Sequence, residues 1–430
     1  MASVVHTGLA PARTVLANGT VVLAKRASMT PAVALHLAMR AGSACDPADA
    51  PGATWLLSRV IDRGTVRRSA ADIAEELDSR GITITTTVTR HLFSLLCTCL
   101  ADDFEPVLEL LGEILISPTI PDEELATRKG QVITAIRQDE DNPAVRASET
   151  LMTLLYPDGH PYGRPTKGSI AVVESLTRDR LLRLHEERFA PSALTAAIVG
   201  DVEASRAQDA AARVLGRWRT PPPLPLTVPA VPRATARRRV VIPMMNKVQA
   251  DIAYGFTTIA RRDPAYYAYW LMNNVFGQYS LGGRLGDSIR ERQGMAYYAS
   301  SSLDANVAEG PLVIRAGVSP ANVDRAVASI DYEVARLAAE GVSEKELEES
   351  RQFLIGSIPR ALETNAAIAN FLQNAEFFEL GLDYDVKLPD LLRAVTLDEV
   401  NSGARNAVSV DRATVVIAGP YKELGNLVIG

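Results

Sequence analysis

The strongest constraint on this chain of 430 residues is an internal repeat. The segments PDEELATRKGQVITAI and SEKELEESRQFLIGSI share the helical spacing of their apolar residues, and Leu347 lies 222 positions after Leu125. Two later helix–strand segments end at Gly200 and Gly419, which lie 219 positions apart. Two separated matches at nearly equal offsets indicate a tandem duplication. The chain is therefore expected to contain two copies of one fold.

A proline-rich stretch separates the two copies. The sequence RWRTPPPLPLTVPAVPRATARRR, residues 217–239, contains six prolines. Proline fixes φ and removes a backbone donor, so such a stretch is typical of a semi-rigid connector. We predict an N-terminal domain over residues 1–216, a connector over 217–239 and a C-terminal domain over 240–430.

Each copy mixes alternating strands with amphipathic helices. VLANGTVVLAKR and AVALHLAMRAG alternate apolar and polar residues with the period of strands, and Asn18-Gly19 predicts a turn. Helices are predicted from about Ala53, Ala70 and Asp102. Clean alternation predicts an antiparallel or mixed sheet with helices on one face. The fold class is therefore α+β, with two tandem homologous α/β-sandwich domains.

Composition excludes several classes of protein. Apolar residues make up 47% and charged residues 22%, which is ordinary for a globular chain, and no apolar run reaches the roughly 18 residues of a membrane span. A net charge of −6 gives no basic footprint for nucleic acid. Cys97 and Cys99 lie on one face of a predicted strand, and we expect free buried thiols. No signal peptide is visible, so the cytoplasm is expected, or the periplasm for a mature chain.

Three separated segments carry a resemblance to a known family. They are PGATWLLSRVIDRGT (51–65), HPYGRPTKGS (160–169) and GGRLGDSIRERQGMAYYASSSL (282–303). Together they resemble the pitrilysin/insulinase peptidase family, whose small bacterial members and mitochondrial processing peptidase subunits are closest in size. The likeness covers nearly the whole chain. It implies two domains of the pitrilysin type.

The resemblance places a degenerate zinc motif on the first helix. Active members carry His-x-x-Glu-His before a Gly-Thr pair that matches residues 64–65 here. Counting back puts the histidine positions on Trp55 and Arg59 and the glutamate on Ser58. An indole and a guanidinium have no lone pair for zinc, and a serine hydroxyl cannot replace the glutamate as general base. We predict these three positions to be non-binding.

No other residues supply the missing zinc ligands. The family's further glutamate falls on Thr134 or Ala135. His160 lies in a Pro/Gly-rich loop and is expected to fix a turn, while His185 is expected on a solvated helix face beside two glutamates. The five histidines, at 6, 36, 91, 160 and 185, are never close in sequence. We predict no cofactor in this chain, and Zn²⁺ in a partner subunit.

The second copy retains the other half of the family's site. The resemblance implies that an arginine and a tyrosine seven residues apart act opposite the zinc, and Arg290 and Tyr297 have that spacing. A guanidinium and a phenol can donate hydrogen bonds to a peptide carbonyl oxygen as negative charge builds on it. Gly282 and Gly283 of the same signature are expected to contact substrate.

Alternatives to this assignment stay open. Arg284 and Arg292 compete with Arg290 for the arginine role. Arg290 could instead pair with a nearby carboxylate such as Asp287 or Glu291, with the tyrosine an amphipathic residue at the rim.

The favoured function is that of a subunit without zinc in a heteromeric zinc metallopeptidase. Its partners are expected to be a homologous zinc-bearing subunit and an unfolded peptide, with no nucleic acid and no membrane span. The chain alone is expected to be inactive. One alternative is a non-enzymatic scaffold or assembly subunit, and another is a homodimeric peptide-binding shell. A zinc-independent peptidase is disfavoured because no nucleophile–base pair is visible.

Overall fold

The structure is a computed structural model that describes residues 8–157, 159–231, 233–279 and 282–422, so Pro232 of the predicted connector lies outside the described residues. Within these ranges the strands are β1 Ala12–Val15, β2 Val21–Arg26, β3 Ala32–Met39, β4 Thr85–Val88, β5 Phe93–Leu100, β6 Leu194–Gly200, β7 Arg238–Pro243, β8 Ala250–Thr257, β9 Ala296–Leu303, β10 Pro311–Val318 and β11 Thr414–Gly419.

The α-helices of the same ranges are α1 Ala53–Val60, α2 Ala70–Asp78, α3 Phe104–Ile116, α4 Asp122–Glu140, α5 Pro143–Leu155, α6 Ile170–Ser175, α7 Arg178–Arg188, α8 Ala204–Leu215, α9 Tyr266–Asn273, α10 Val323–Glu340, α11 Glu344–Ala361, α12 Asn365–Phe377, α13 Tyr384–Ala394 and α14 Leu397–Ala407. Two π-helical segments, Asn274–Gln278 and Gly286–Arg292, accompany them.

The chain divides into two compact units, each assembled from discontinuous segments. Unit 1 comprises Met1–Ile136, Arg164–Thr227 and Ser357–Lys387. Unit 2 comprises Arg137–Gly163, Val228–Gly356 and Leu388–Gly430. The predicted boundaries at residues 216 and 240 follow the duplication in the sequence and stay a prediction.

Each unit is built on one mixed sheet. The sheet of unit 1 has the strand order β1-β2-β6-β3-β5-β4, with β2 parallel to β6 and the other pairs antiparallel. The sheet of unit 2 has the order β7-β11-β8-β10-β9, with β7 parallel to β11. Apart from β1, the two sheets share one order and one pattern of strand directions. The predicted α+β fold with mixed sheets is confirmed.

Helices cover both faces of the sheet in unit 1, so the expectation of helices on one face was wrong. One face packs into the large cluster with α1, α3 and α8. On the other face, Leu23 and Ala34 pack against Ile368 and Leu372 of α12. The reason lies in β3 and β6, which read AVALHLAM and LTAAIVG and are apolar in both alternations. Such strands are typical of a sheet buried on both sides.

The same arrangement recurs in unit 2 with helix α5. Leu151 and Leu155 of α5 pack with Val313 and Val416 of the sheet. A Cβ atom at Gly255 of β8 would lie 2.9 Å from the Leu151 side chain, so glycine allows the close approach of helix and strand. The helix is therefore seated directly on the central strands.

Helices α5 and α12 are equivalent members of the repeat. Each has 13 residues, and α12 begins 222 positions after α5, at the offset found in the sequence. The first copy's helix belongs to unit 2, and the second copy's helix belongs to unit 1. The duplicated helices are thus exchanged between the compact units.

The cysteines are structural. Cys45, Cys97 and Cys99 are buried and free, which confirms the predicted thiols. Burial raises the pKa of the Cys97 thiol to about 12, so it stays protonated and unreactive. Among the described helices, none combines the length and apolar character that a bilayer crossing requires.

Candidate functional site

Helix α1, which carries the predicted zinc-motif positions, is anchored by a buried carboxylate. Asp46 accepts hydrogen bonds from the backbone N–H groups of Gly52 (2.7 Å) and Thr54 (2.8 Å) and from the Thr54 hydroxyl (2.6 Å). These donors lie at the first turn, where a helix leaves N–H groups without partners. Burial raises the pKa of Asp46 to about 6 despite these bonds.

Two of the three predicted zinc-motif positions, Trp55 and Arg59, form a cation–π contact. The Arg59 guanidinium carbon lies 4.4 Å from the centre of the Trp55 ring. The Lys167 ammonium nitrogen lies 5.8 Å from the same ring. Ser58 is buried, and its hydroxyl donates a 2.6 Å hydrogen bond to the Trp55 carbonyl oxygen. The Trp55 ring is therefore in contact with two positively charged groups, the Arg59 guanidinium and the Lys167 ammonium.

These side chains do not fit a zinc ion. The guanidinium is protonated, the indole has only a donor, and the Ser58 hydroxyl is engaged with its own helix. Thr134 donates a hydrogen bond to the Gly130 carbonyl oxygen within α4. Within the part of the chain that the structure describes, no group of three or more His, Cys, Asp or Glu side chains could hold a metal. The match of positions 55, 58 and 59 to the zinc motif stays a prediction.

His160 and His185 make hydrogen bonds to the backbone and have structural roles. His160 accepts from the Tyr162 N–H at 3.0 Å, as expected of a residue that fixes a turn. His185 was expected on a solvated face, and this was wrong. It is buried, and its Nε2 lies 2.8 Å from the Leu115 carbonyl oxygen. His185 lies one turn after Leu181, so it shares the apolar face of α7.

Strand β4 is an exposed sheet edge beside α1. It ends the strand order of unit 1, pairs with β5, and packs against α1. Its residues TTTV alternate between exposed and half-buried. The outer side of an edge strand carries backbone N–H and C=O groups that can pair with an extended peptide. The zinc-motif helix and this edge lie together in unit 1.

In unit 2, Arg290 and Tyr297 flank a tight helix-to-strand junction. Arg290 lies in the π-helical segment Gly286–Arg292, and its carbonyl oxygen accepts from Gly294 N–H at 3.0 Å. Gly294 has φ +59°, a conformation that favours glycine, and β9 then starts at Ala296. The predicted order of helix, glycine and strand is confirmed.

Tyr297 is the extra residue of a β-bulge. Ala296 pairs with Val318, whereas Tyr298 pairs with Gly317, so Tyr297 has no residue opposite it on β10. A bulge redirects a side chain and often lies next to a functional site. Tyr297 is 66% exposed on this edge strand.

The neighbouring tyrosine has a structural environment. Tyr298 donates a 2.6 Å hydrogen bond to the buried carboxylate of Asp251. Burial and this carboxylate raise the pKa of Tyr298. A Cβ atom at Gly317 would lie 2.5 Å from the Tyr298 ring, so the ring covers that glycine. Of the two tyrosines, Tyr297 is the one that faces solvent.

Two of the three candidate arginines are held by carboxylates. Arg284 is buried and makes a two-point ion pair with Glu346, at 2.7 and 2.8 Å. It also donates to the Gly341 carbonyl oxygen at 2.9 Å. Arg292 donates to Asp287. Both guanidinium groups are therefore committed to local structure.

Arg290 differs from these two arginines. Its side chain is 43% exposed, and Glu291, the carboxylate paired with it in the described part of the chain, lies 3.7 Å away, beyond hydrogen-bonding distance. The alternative of a pair with Glu291 is therefore only a loose, solvent-exposed contact. Unlike Arg284 and Arg292, Arg290 has N–H donors that remain available to a ligand. Its role in substrate binding stays a prediction.

Gly282 and Gly283 lie against Tyr279. The Gly283 N–H donates to the Tyr279 carbonyl oxygen at 2.6 Å, and a Cβ atom at Gly282 would collide with the Tyr279 ring. A Cβ atom at Gly283 would lie 2.9 Å from the Gly277 Cα atom, so local packing favours glycine at both positions. Their contact with substrate stays a prediction.

None of the predicted site residues lines a described cavity of about 730 Å³ in unit 2. Tyr267 and Tyr269 of α9 and Gly403 of α14 are among the residues that line it. Arg290, Tyr297 and Gly282 lie instead on exposed surface, whereas Gly283 is buried.

Comparison with known proteins defines the class. Residues 21–168 match the family described as insulinase, peptidase family M16, and residues 175–354 match the peptidase M16 inactive domain. The chain therefore belongs to peptidase family M16, which confirms the pitrilysin/insulinase resemblance.

Individual relatives agree with this class. An uncharacterized zinc protease of Streptomyces coelicolor is 26% identical over 380 residues, covering 86% of this chain and 81% of that protein. A Helicobacter pylori protein named a non-peptidase homolog is 22% identical, covering 90% and 89%. The crystal structure of a peptidase M16 inactive domain from Pseudomonas fluorescens superposes with a TM-score of 0.88 at 26% identity, covering 97% of this chain and all of that one.

Proposed function

We propose that this chain is the subunit without zinc in a heteromeric M16 metallopeptidase, and that it contributes Arg290 and Tyr297 to binding of substrate and transition state. The observation that carries the proposal is the contrast between the two units. The zinc-motif face holds an indole and a guanidinium, while the Arg/Tyr pair is exposed. Zn²⁺ would be held by a homologous subunit with His-x-x-Glu-His.

The chemistry of the exposed pair fits acyl transfer. A peptide carbonyl oxygen gains negative charge when water attacks it, and preorganised donors at that oxygen lower the barrier. Arg290 supplies a fixed positive charge and Tyr297 a phenolic O–H. The Gly294 turn sets the backbone between them, and the bulge at Tyr297 directs that side chain outward.

The substrate would be an unfolded peptide. The open edge of β4 supports main-chain pairing, which reads few side chains, so specificity should be broad. Gly282, which is exposed beside Tyr279, would contact the peptide near the Arg/Tyr pair, and the buried Gly283 would support the local turn. The complex would act in the cytoplasm, or in the periplasm for a mature chain.

Isolation of the native complex tests the proposal. The tagged chain is expressed in its own host, purified, and its companions identified by mass spectrometry, and the metal content of each chain is then measured. We expect a chain of similar size with His-x-x-Glu-His, one zinc per pair, and peptide cleavage only by the pair. Stoichiometric zinc in this chain, or cleavage by it alone, would overturn the proposal.

A second candidate is a non-enzymatic scaffold, favoured by the relative named a non-peptidase homolog. The double variant Arg290→Ala, Tyr297→Phe separates the two functions in the reconstituted pair. An unchanged cleavage rate would favour the scaffold, whereas a large loss at unchanged assembly supports the catalytic contribution.

A further inference from the structure

We propose that the surface formed by Trp55 and Arg59 of α1 and by Lys167, which lies outside α1 and contacts the same indole, binds a carboxylate group of an extended peptide. This surface is here called the α1 cationic face. The inference rests on the proposed role in peptide binding, but not on a partner subunit. It gives the predicted zinc-motif positions a different ligand chemistry, because a guanidinium cannot bind a cation but can bind an anion.

The first argument is the state of the Arg59 guanidinium. Its contact with the Trp55 ring, at 4.4 Å, uses the π face of the indole and offers no strong acceptor to the five N–H donors. In the described ranges, no carboxylate oxygen lies within 4.0 Å of the Arg59 guanidinium. The charge of Asp62 acts on Arg59 from a longer distance, but Asp62 is paired with Arg63 at 3.2 Å. The Arg59 side chain is half-buried, and solvent reaches its nitrogen atoms.

Neighbouring arginines of unit 1 behave differently. Arg63 lies 3.2 Å from Asp62, and Arg180 lies 2.8 Å from Asp49. Arg164 donates to the Asp46 carbonyl oxygen at 2.9 Å. Arg59 is half-buried and held against a ring instead of a carboxylate. A guanidinium in this state has donors in place and little side-chain freedom left to lose on binding.

The second argument is the strand beside the helix. α1 packs against β4, whose outer edge can pair with an extended chain. A peptide seated on that edge would place a terminal or side-chain carboxylate within reach of α1. Lys167 adds a second positive charge at the same indole. A carboxylate matches the planar fork of a guanidinium with two parallel hydrogen bonds.

The test is a binding measurement on the full chain alone. The probe is an unstructured ten-residue peptide without Asp or Glu, labelled at its N-terminus and followed by fluorescence anisotropy. It is compared with its C-terminal amide and with an amide that contains one central Glu. We expect the free acid to bind about tenfold more tightly than the amide, as a charge-assisted pair implies. Recovered affinity of the Glu peptide would assign the site to side-chain carboxylates as well.

Variants then locate the effect. Arg59→Gln should reduce the ratio of acid to amide affinity to about one, while Arg59→Lys should keep part of it because the charge remains. Arg26→Gln is the matched control, because this exposed arginine of the same unit is paired with Glu203. The control should leave the ratio unchanged.

Equal affinities of acid and amide for the unaltered chain, or no binding of either peptide, would overturn the inference without any variant. The same ratio in Arg59→Gln would place the carboxylate elsewhere and overturn it too. The proposed subunit role fails separately, when Arg290 and Tyr297 prove dispensable in the reconstituted pair, so the two failures are distinguishable.

Discussion

The side-chain amide of Gln373 donates a 2.6 Å hydrogen bond to the backbone carbonyl oxygen of His36. The same amide donates to the Thr195 carbonyl oxygen at 2.7 Å. Gln373 lies on α12, and the two carbonyls belong to the adjacent strands β3 and β6. A single buried amide therefore ties the exchanged helix to two strands of its sheet.

Replacement of this amide should be costly. Gln373→Leu removes both hydrogen bonds and leaves two buried carbonyl oxygens with fewer donors, so we expect a loss of about 2–4 kcal/mol in the free energy of unfolding. Urea denaturation measures it. Asn374→Ala, at an exposed position of the same helix, is the control and should change stability by less than about 0.5 kcal/mol. Equal effects of the two variants would contradict the assigned role.

Two glycines should respond to alanine with opposite signs. A Cβ at Gly255 meets Leu151 and Leu155 of α5, so Gly255→Ala should destabilise by about 1–3 kcal/mol through overpacking. Gly356 in α11 has open space around it, so Gly356→Ala should stabilise by about 0.5–1 kcal/mol. Thermal and urea unfolding measure both. Stabilisation by Gly255→Ala would mean that α5 does not sit closely on β8.

The Arg284–Glu346 pair should make the free energy of unfolding depend on pH in the acidic range. Burial alone would raise the pKa of Glu346, but the Arg284 guanidinium and the donors of Ser343 hold it down to about 2. Because the folded pKa lies below the unfolded one, the stabilisation is present above pH 4.5 and is lost as pH falls towards 2.

Glu346→Gln should therefore cost more at neutral than at acidic pH. Partial exposure screens the pair, so we expect about 1–2 kcal/mol at pH 7 and a smaller difference at pH 3.5. Urea unfolding at both pH values measures it. A difference that stays constant with pH would show that the carboxylate does not titrate as described.

His36 should make the free energy of unfolding depend on pH in a higher pH range than Glu346 does. Burial lowers its pKa to about 4, so the unfolded chain binds the extra proton between pH 6.5 and 4. Stability from the neutral imidazole is full above pH 6.5 and falls by about 2 kcal/mol by pH 5. His36→Gln should lose less stability between pH 7 and 5 than the unaltered chain. Asp46, with its raised pKa, acts in the opposite direction and cancels in the comparison.

In the reconstituted peptidase, Arg290 and Arg292 should be unequal. Arg290→Ala removes a donor that acts in the transition state, so we expect kcat to fall by about 10²–10³. Arg292 is already paired with Asp287, and Arg292→Ala should leave kcat within a few fold. Steady-state cleavage of a fluorogenic peptide measures both. A larger effect of Arg292→Ala would exchange the two roles.

Much of the fold was visible in local patterns. The helix–glycine–strand order before Tyr297 and the buried cysteines depend on residues near one another in sequence. The repeat offset of 222 follows from a comparison of two such local patterns. Burial of β3 and β6 on both faces was missed, although their nearly continuous apolar residues carry that signal. The buried state of His185 was missed because its glutamate neighbours suggested a solvated face.

The sequence by itself determined the duplication, the α+β class and the absence of a His-x-x-Glu-His motif, because composition, spacing and residue type carry that information. Only the tertiary structure decided which sheet α5 and α12 cover, since an amphipathic helix specifies an apolar face but not its partner. It also decided that Arg284 is committed to Glu346 and that Arg59 rests on Trp55. A side chain's partners depend on residues far away in the chain, and folding alone brings them together.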